Sequence, residues 1–472
     1  MNKNASNGTT KRTLTDRFVD GCYRWMPNSL VLVFLLTILV AALAVIFCGS
    51  PFLTSTETKT SLVDAWNNGF WNLLSFAMQM SLVMLTGYML ASAPVIKKGL
   101  TKLADIPNTA AGAMLLCGVV TCIVWWIHWG LGMMGSIVLG RLCAAQGKKK
   151  GYRLDVPWLV AYLWGVECAG VGISQAAPLY GATPGYLAGL VVDDATRALV
   201  PDVIPLADTV VNPLIIGQNI CLFLLVSIVA YFLMPKRQER ILEVDDAFAE
   251  EIMHVETVEK PDRSSPAAWI NSSPLLNIII GGVGLIWSVR LIATSGIVNI
   301  SLNNFNFIML MLCVLLCWTP NIFCKCCADA IGNIWGVVVQ FPFYAGIFGL
   351  ITQTGLNEVI VHAFTSISTK ETFPLVAYVY SALLNIVVPS GGSKFVIEAP
   401  YIVQVCTELD VSIARIIDVY NFADLNTNII QPFWGLAFLA MFRIDFKQII
   451  PYTALIALAV LIFNLSYIAI FY

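Results

Sequence analysis

Charge-free apolar runs long enough to cross a membrane recur along this chain from Leu30 to Tyr472. About 20 apolar residues span the hydrocarbon core of a bilayer. Inside that core every backbone polar group must be paired within the protein, and a helix achieves this within one segment. Because 58% of the residues are hydrophobic and only 12% are charged, we predict an all-α polytopic membrane protein in a lipid bilayer.

The runs divide into about 11 transmembrane helices and two interrupted elements, judged by the length that one crossing needs. An element broken at mid-depth by glycine and proline is typical of a re-entrant hairpin that the protein shields from lipid. The sequence has no basic patch large enough for nucleic acid and no Walker-type phosphate loop. The cluster Cys324-Lys325-Cys326-Cys327 has no further ligands nearby, so we predict no metal site.

Two stretches of the chain match at one constant offset. The segment Leu159-Val160-Ala161-Tyr162 recurs as Leu375-Val376-Ala377-Tyr378, an offset of 375 − 159 = 216 residues. The same offset aligns three further sets of small or polar residues: Ser174-Gln175-Ala176-Ala177 with Ser390-Gly391-Gly392-Ser393, Asp208 with Asp424, and Asn212 with Asn428. Transporters built from repeats place such residues at a central site. Because each half holds about five crossings and one hairpin, the two repeats are predicted to be inverted.

The predicted boundaries follow from these runs. In chain order they are a cytoplasmic N-terminal tail with an interfacial helix (1–29), a first helix and loop (30–66), a first repeat (67–293) with a hairpin (156–192), a broken helix (203–234) and a hydrophilic linker (235–270), and a second repeat (303–472) with a hairpin (373–408) and a broken helix (413–441). Basic residues before the first span predict a cytoplasmic N-terminus. The basic clusters 97–102, 141–153 and 443–447 are predicted on the same face, with the acidic linker outside.

Two polar features lie outside the repeated sets. The bend Trp125-Trp126-Ile127-His128-Trp129 is predicted at a membrane interface, because tryptophan prefers that region. Glu167 stands alone in an apolar segment, and an unpaired buried carboxylate is expected to hold its proton. Glu167 is therefore predicted to donate a hydrogen bond or to relay a proton.

Lys394 is the most informative single residue, because a lysine near the bilayer centre costs about 2.5–3.5 kcal/mol on insertion scales and must face a cavity or a partner. One hypothesis makes Lys394 the cation that binds a substrate carboxylate, beside an anion cradle of backbone N–H groups at the start of a helix. The alternative pairs it with Glu398, one helical turn later. The predicted substrate-binding residues are Ser174, Gln175, Ser390, Gly391, Gly392, Ser393, Lys394, Asn428, Gln431 and Trp434.

A carboxylate and amides at a break in a helix are suited to a coupling ion, because freed carbonyl groups there can enclose Na⁺ and a carboxylate can take H⁺. The predicted ion-coupling residues are Asp208, Asn212, Asp424, Asn426 and Thr427. The alternative is that the aspartates and asparagines only cap the broken half-helices. The adjacent Pro432-Phe433-Trp434 is predicted to form an apolar wall for a short hydrocarbon tail.

Four segments together resemble the bacterial short-chain fatty acid transporter family of the acetoacetate or butyrate uptake type: Phe70-Trp71 with Phe76-Ala77-Met78-Gln79-Met80, Phe341-Pro342-Phe343-Tyr344-Ala345-Gly346-Ile347, Val388-Pro389-Ser390-Gly391-Gly392-Ser393-Lys394 and Asn428-Ile429-Ile430-Gln431-Pro432-Phe433-Trp434. The resemblance runs over nearly the whole chain. More distantly the chain is similar to the ion transporter superfamily. This resemblance implies inverted repeats, two hairpins, a homodimer, an elevator-type movement and the bacterial inner membrane.

The resemblance implies a secondary active transporter of short-chain monocarboxylates, coupled to H⁺ or Na⁺, and not an enzyme. The first hairpin departs from the family pattern at Gly172-Ile173-Ser174-Gln175-Ala176-Ala177, which leaves a larger or more polar carboxylate open. A dicarboxylate or amino acid is an alternative substrate, although a single intramembrane lysine disfavours a dianion. An intramembrane hydrolase using Ser390 or Ser393 would need a base within hydrogen-bond reach, and only Lys394 qualifies.

Overall fold

The computed structural model describes Arg24, Pro27 and residues 29–472, except for 237–240, 254–263, 297–299, 333 and 432–434. These residues form helices joined by turns, and they contain no strand. The predicted interfacial helix within 1–29 lies almost wholly outside them. The helices of the first half are α1 (Ser29–Cys48), α2 (Leu62–Phe70), α3 (Leu74–Ser92), α4 (Pro94–Ala104), α5 (Ala110–Ile127), α6 (Trp129–Lys150), α7 (Val156–Glu167), α8 (Ala176–Gly181), α9 (Tyr186–Leu190), α10 (Asp194–Leu199) and α11 (Pro213–Leu233).

The second half begins with the linker. Its helices and those that follow are α12 (Asp246–Met253), α13 (Pro266–Asn271), α14 (Leu275–Ser295), α15 (Leu302–Leu316), α16 (Pro320–Ile331), α17 (Trp335–Gln353), α18 (Leu356–Ile367), α19 (Phe373–Val387), α20 (Gly391–Glu408), α21 (Ile413–Asn428), α22 (Leu436–Phe442) and α23 (Phe446–Phe471).

Seven helices of the described residues are long and apolar enough to cross a membrane, including α1, α14 and α23. On these three, Ile38, Ile286 and Ile470 are among the large apolar side chains left exposed, as expected of surfaces that face lipid. The described part of the chain is thus an all-helical, multi-pass membrane protein.

Seven is fewer than the predicted 11, because several remaining helices are short or carry buried charge. Two apolar helices, α15 and α19, have fewer than 18 residues, and α20 and α21 contain Lys394, Glu398 and Asp424. The total number of crossings stays a prediction.

The linker lies on the face that we predicted to be opposite to it. Three ion pairs join it to the basic clusters: Lys148–Asp246 at 2.6 Å, Arg153–Glu243 at 2.7 Å and Arg443–Glu251 at 2.7 Å. Phe248 is buried between the guanidinium groups of Arg141 and Arg443. The prediction that placed the linker across the membrane from clusters 141–153 and 443–447 was wrong, because opposite charges bring all three together. An odd number of crossings in each half would place the linker on the opposite face, so this count no longer supports inverted repeats. The inversion therefore stays a prediction.

The first interrupted segment runs in one direction from Trp158 to Val171. Three contacts align it with α11: Trp158 with Ala230, Tyr162 with Ser227 and Val171 with Asn219. Residues 168–175 are not helical, and α8 follows them. The contacts show no fold-back before Val171, and the hairpin predicted over 156–192 stays a prediction. Residues 203–212, the first part of the predicted broken helix 203–234, are not helical. Pro205 disfavours a helix there, and Pro213 is the first residue of α11.

Most of the tryptophan-rich bend between α5 and α6 is buried within the protein, although Ile127 is exposed, and its place at a membrane interface stays a prediction. His128 is fully buried, and its Nε2 lies 3.3 Å from Thr86 Oγ1. The bend is covered because the unwound segment 168–175 pairs with it. The N–H of Ile173 donates to Trp126 O at 2.7 Å, and the indole N–H of Trp125 donates to Gly170 O at 3.0 Å.

The second interrupted segment does fold back. Ser381 of α19 faces Glu398 of α20 at 3.2 Å, and Tyr380 faces Tyr401 at 2.8 Å, so the two helices are antiparallel around a tip at 388–390. Asp410 and Lys370 form an ion pair at the base. The tip of this hairpin and the start of α8 meet in the protein interior, since α8 packs on both α20 and α21.

Candidate functional site

The candidate site lies where the first turns of α20, the last turns of α21 and the middle of α19 converge. Lys394, near the start of α20, is fully buried. Its ammonium group donates to Ser381 Oγ at 2.6 Å and lies 3.9 Å from the centre of the Tyr420 ring. A buried ammonium over an aromatic face gains a cation–π attraction of about 2 kcal/mol.

Two carboxylates share this one ammonium group. Lys394 Nζ lies 3.6 Å from Glu398 Oε1 and 3.8 Å from Asp424 Oδ1. The structure thus contains the internal ion pair with Glu398 that we considered as an alternative, and adds Asp424 to it. With all three groups ionised the set has a net charge of −1, since one positive charge faces two negative ones. In a buried site such an excess is unfavourable unless another cation or a proton balances it.

The end of α21 forms an amide cluster around Asn428. The side-chain N–H groups of Asn385 donate to Asn428 Oδ1 at 2.8 Å and to the backbone oxygen of Asp424 at 3.0 Å. Asn428 in turn donates to Asp424 Oδ2 at 3.2 Å, and Gln431 donates to Asn428. Thr427 accepts from Asn385 at 2.8 Å. One connected network therefore links this cluster to the ion pair through Asp424.

Several acceptor oxygens of this network have no hydrogen-bond donor among the described residues. They are Asn385 Oδ1, Gln431 Oε1 and Asp424 Oδ1, all buried, and the last of them has only the longer ion-pair contact with Lys394 at 3.8 Å. Leaving a buried polar group unpaired costs about 1–3 kcal/mol. A cluster of such oxygens at the C-terminal end of a helix, where the helix dipole is negative, is suited to a bound cation.

The first turn of α20 is suited to an anion, in contrast to the acceptor oxygens at the end of α21. Ser390 precedes the helix, and its side chain makes no capping hydrogen bond. Gly391 and Gly392 allow a close approach, because a Cβ on Gly391 would lie 2.9 Å from Asp424 Oδ2. Ser393 Oγ is buried without a partner among the described residues. The N-terminal end of a helix favours an anion.

The predicted binding and coupling residues of the first half lie outside the network around Asn428. Ser174 is buried, and its Oγ accepts from the N–H of Trp129 at 2.8 Å. Gln175 is half-buried at the start of α8. Asn212 caps α11 by accepting from the N–H of Leu214 at 2.9 Å. Asp208 is exposed. The structure does not bring Asp208 or Asn212 into the network around Asn428.

One further predicted residue, Asn426, lies apart from the network. Asn426 faces away from Lys394, since its side chain accepts from Tyr378 at 2.8 Å and donates to Ala457 O at 3.0 Å. Trp434, with Pro432 and Phe433, lies outside the described residues. Glu167 is fully buried, and Ser136 donates to its Oε1. Its Oε2 has no partner within the described part of the chain.

Sequence reasoning missed four residues of the site: Ser381, Asn385, Tyr180 and Tyr420. Ser381 and Asn385 stand four residues apart, so they share one face of α19, and this spacing could have singled them out. Tyr180 and Tyr420 carried no such signal, because buried tyrosines are common in apolar helices.

The geometry does not favour hydrolase chemistry. The ammonium of Lys394 is bound to Ser381, and neither Ser390 nor Ser393 is hydrogen-bonded to it. No group of three or more His, Cys, Asp or Glu side chains within the described residues could hold a metal ion.

Residues 11–471 match the short chain fatty acid transporter family. A candidate short-chain fatty acid transporter of Escherichia coli (strain K12) is 31% identical over 453 residues, which cover 94% of this chain and 95% of the relative. A candidate short-chain fatty acid transporter of Haemophilus influenzae (strain ATCC 51907 / DSM 11121 / KW20 / Rd) is 29% identical over 442 residues, which cover 92% and 94%.

Two solved transporters share the fold. The YdaH transporter of Alcanivorax borkumensis superimposes with a TM-score of 0.59 at 15% identity, over 94% of this chain and 98% of that one. MtrF of Neisseria gonorrhoeae, described within a class of antimetabolite efflux pumps, gives a TM-score of 0.55 at 16% identity, over 96% and 97%. The family match over almost the entire chain and the identity to the Escherichia coli relative confirm the predicted family. This protein belongs to the short-chain fatty acid transporter family, and it is a transporter and not an enzyme.

Proposed function

We propose that this protein is a secondary active transporter that moves a short-chain monocarboxylate, such as butyrate or acetoacetate, together with a cation. The class of substrate is taken from the family and from the names of the two relatives. Coupling to a cation is supported by the buried set of Lys394, Glu398 and Asp424, in which one ammonium group faces two carboxylates. A substrate anion would add negative charge to a set that already has an excess of it, so a cation must accompany the substrate.

Na⁺ is the coupling ion that this geometry favours. A proton on Asp424 would balance the charge but would supply a single hydrogen-bond donor. Three buried acceptor oxygens lack a donor: Asp424 Oδ1, Asn385 Oδ1 and Gln431 Oε1. Na⁺ can satisfy several oxygens at once, and broken membrane helices bind it with their C-terminal ends. Coupling to H⁺ is the second candidate, because either carboxylate could carry the proton.

Substrate entry requires movement of the hairpin tip. The cavity beside Glu398, between α20 and α21, has a volume of about 10 Å³. Such a space holds no more than about one water molecule, so a four-carbon carboxylate cannot enter it. The tip is proposed to separate from α8 or α21 before the substrate binds, since Tyr180 and Ser393 at this contact are fully buried. An elevator-type movement and a homodimer in the bacterial inner membrane are part of this proposal, and the mass of the purified protein in detergent tests the dimer.

A monocarboxylate is a better candidate than a dicarboxylate. Lys394 is the only Lys or Arg within the network around Asn428 in the described part of the chain, and both of its carboxylate neighbours are within 4 Å. A second negative charge on the substrate would find no cation there. An amino acid would bring an ammonium group, which the unpartnered oxygens could bind, so it remains the alternative to test.

The deciding experiment measures labelled butyrate uptake into liposomes that contain the purified full-length protein. An inward Na⁺ gradient at equal pH should drive uptake above that of protein-free liposomes, while a pH gradient without Na⁺ should give only the diffusion of butyric acid that protein-free liposomes also show. Unlabelled acetoacetate should compete, and succinate and glutamate should not. Protein-dependent uptake driven by the pH gradient alone would show that the coupling ion is H⁺ and not Na⁺. Competition by glutamate with no uptake of butyrate would overturn the monocarboxylate proposal.

A further inference from the structure

We infer that Tyr180 and Ser393 bind the substrate carboxylate from two sides and that an aromatic cluster around Tyr180 limits the length of its hydrocarbon chain. This inference rests on the proposed function and adds residues of the first half of the chain to the site. The aromatic cluster consists of Phe76, Tyr180, Phe341 and Phe395.

The two hydroxyl groups are buried and unused. Tyr180 and Ser393 are both fully buried, and neither hydroxyl has a hydrogen-bond partner among the described residues. Each can donate one hydrogen bond. Burying an unpaired hydroxyl is unfavourable, whereas two donors on one carboxylate form charge-assisted hydrogen bonds, which are about twice as strong as neutral ones. The arrangement therefore gains most from an anionic ligand.

Both hydroxyls belong to the same end of α20. A Cβ added to Gly392 would lie 3.1 Å from Tyr180 Oη, so the phenol reaches the first turn of α20 from α8. Ser393 is the next residue along that turn. The N–H groups of the turn are not capped by Ser390, and the N-terminal end of a helix attracts an anion. A carboxylate there would meet two hydroxyls, free backbone N–H groups and, one residue on, Lys394.

The aromatic cluster begins directly behind Tyr180. The Tyr180 ring centre lies 4.5 Å from that of Phe76 and 5.6 Å from that of Phe395. Phe341 closes the far side, 5.2 Å from Phe76. All four rings are buried. A hydrocarbon chain attached to a carboxylate at the first turn of α20 would extend among these rings, and its length is limited because Phe76 and Phe341 block the end.

The position of Gly392 supports this arrangement. A side chain there would contact Tyr180 Oη, Phe76 at 3.3 Å and Ala176 at 3.5 Å. Glycine thus leaves space at the point where the carboxylate end and the aromatic cluster meet. The cluster also connects to the charged set, because the Phe395 ring centre lies 5.0 Å from that of Tyr420, which contacts Lys394.

The test uses full-length protein and measures Kd for butyrate and competition by acetate, butyrate, hexanoate and octanoate. Tyr180→Phe and Ser393→Ala should each raise the Kd for butyrate about tenfold, as expected for losing one hydrogen bond to a charged group. Phe76→Ala should shift the preference from butyrate towards hexanoate by about tenfold, because two more methylene groups become buried. Phe76→Leu serves as a milder variant if the alanine variant fails to fold.

Tyr162→Phe is the matched control, because it removes a buried tyrosine hydroxyl that bonds Ser227 at 3.0 Å, away from the hairpin tip. It should bind butyrate like the wild type. If Tyr180→Phe also binds like the wild type, or if both Phe76 variants keep the wild-type order of chain lengths, the inference is overturned while the proposed function stands. If the wild type binds no member of the series, both are overturned.

Discussion

The two interrupted segments of this chain, 168–175 and 388–390, use their freed polar groups in different ways. In the first, Asn219 accepts from the N–H of Val171 and donates to its carbonyl, both at 2.9 Å, and Trp129 donates to Ser174. In the second, Ser393 Oγ, Asn385 Oδ1 and Asp424 Oδ1 have no hydrogen-bond partner among the described residues. The polar groups of the first break are paired with the surrounding helices, whereas the second break leaves buried polar atoms without such a partner in the described part of the chain.

The difference teaches that a constant sequence offset does not transfer a role. Asp208 and Asp424 occupy matching positions in the sequence, but Asp208 is exposed and Asp424 is buried beside Lys394. The first segment has a lone buried carboxylate, Glu167, which Ser136 binds. The charged and amide groups of the candidate site thus lie in the second half, while α8 of the first half packs on the second hairpin and on α21.

The largest expected effect is that of Lys394→Met. It removes the only cation from a buried set with two carboxylates and should lower carboxylate uptake about a hundredfold, since losing the buried charge that pairs with a bound anion costs about 2–5 kcal/mol of binding free energy. Uptake is measured in liposomes with equal amounts of folded protein. Lys370→Met is the control, because Lys370 is an exposed lysine that pairs with Asp410 at the base of the same hairpin. Wild-type uptake by Lys394→Met would leave this residue with only a structural role.

The second expected effect separates the matching aspartates. Asp424→Asn should weaken the apparent affinity for the coupling ion at least about tenfold, because it removes a charged ligand oxygen worth more than 1.4 kcal/mol. Asp208→Asn should keep the wild-type ion response, since Asp208 is exposed. Uptake is measured over a series of Na⁺ concentrations and pH values. Equal responses of the two variants would remove the contrast between the breaks.

The third expected effect concerns stability and uses one glycine from each break. A Cβ on Gly172 would lie 2.6 Å from the backbone oxygen of Trp126, which cannot move freely, whereas a Cβ on Gly391 would meet the Asp424 side chain. Gly172→Ala should therefore destabilise the protein by about 1–3 kcal/mol, as expected of overpacking. Gly391→Ala should fold well but bind the ion more weakly. Thermal unfolding in detergent measures the stability of both variants. A Gly391→Ala variant less stable than the Gly172→Ala variant would contradict this prediction.

The smallest expected effect is at the base of the second hairpin. Hydrogen bonding and charge from Lys370 lower the pKa of Asp410 below its ordinary value. A lowered pKa stabilises the folded state above the pKa of the unfolded chain, and this contribution is lost as pH falls through the folded pKa. Asp410→Asn should therefore lower the unfolding temperature slightly at neutral pH and have no effect in acid. Exposed pairs contribute little, so a large loss of uptake would show that the base also takes part in transport.

The sequence predicted the central polar residues of the candidate site but not the residues of α19 and α8 that surround them. The residues from Ser390 to Lys394 and the pair Asp424 and Asn428 were predicted, because polar groups in an apolar run are costly and therefore informative. The structure adds Ser381 and Asn385, which reach the site only because α19 folds back on α20. It adds Tyr180 from more than 200 residues away in the chain. No local pattern marks such a residue.

By itself the sequence determined the all-helical membrane class, the family and the position of the buried charges, because each depends on composition and local spacing. The tertiary structure decided which break pairs its polar groups within the protein and which leaves buried polar atoms without a hydrogen-bond partner among the described residues. It also placed the acidic linker on the basic face through ion pairs such as Lys148–Asp246. It also decided that Lys394 has two carboxylate neighbours instead of one. These outcomes depend on which distant side chains meet in space, and a sequence offset contains no information about such contacts.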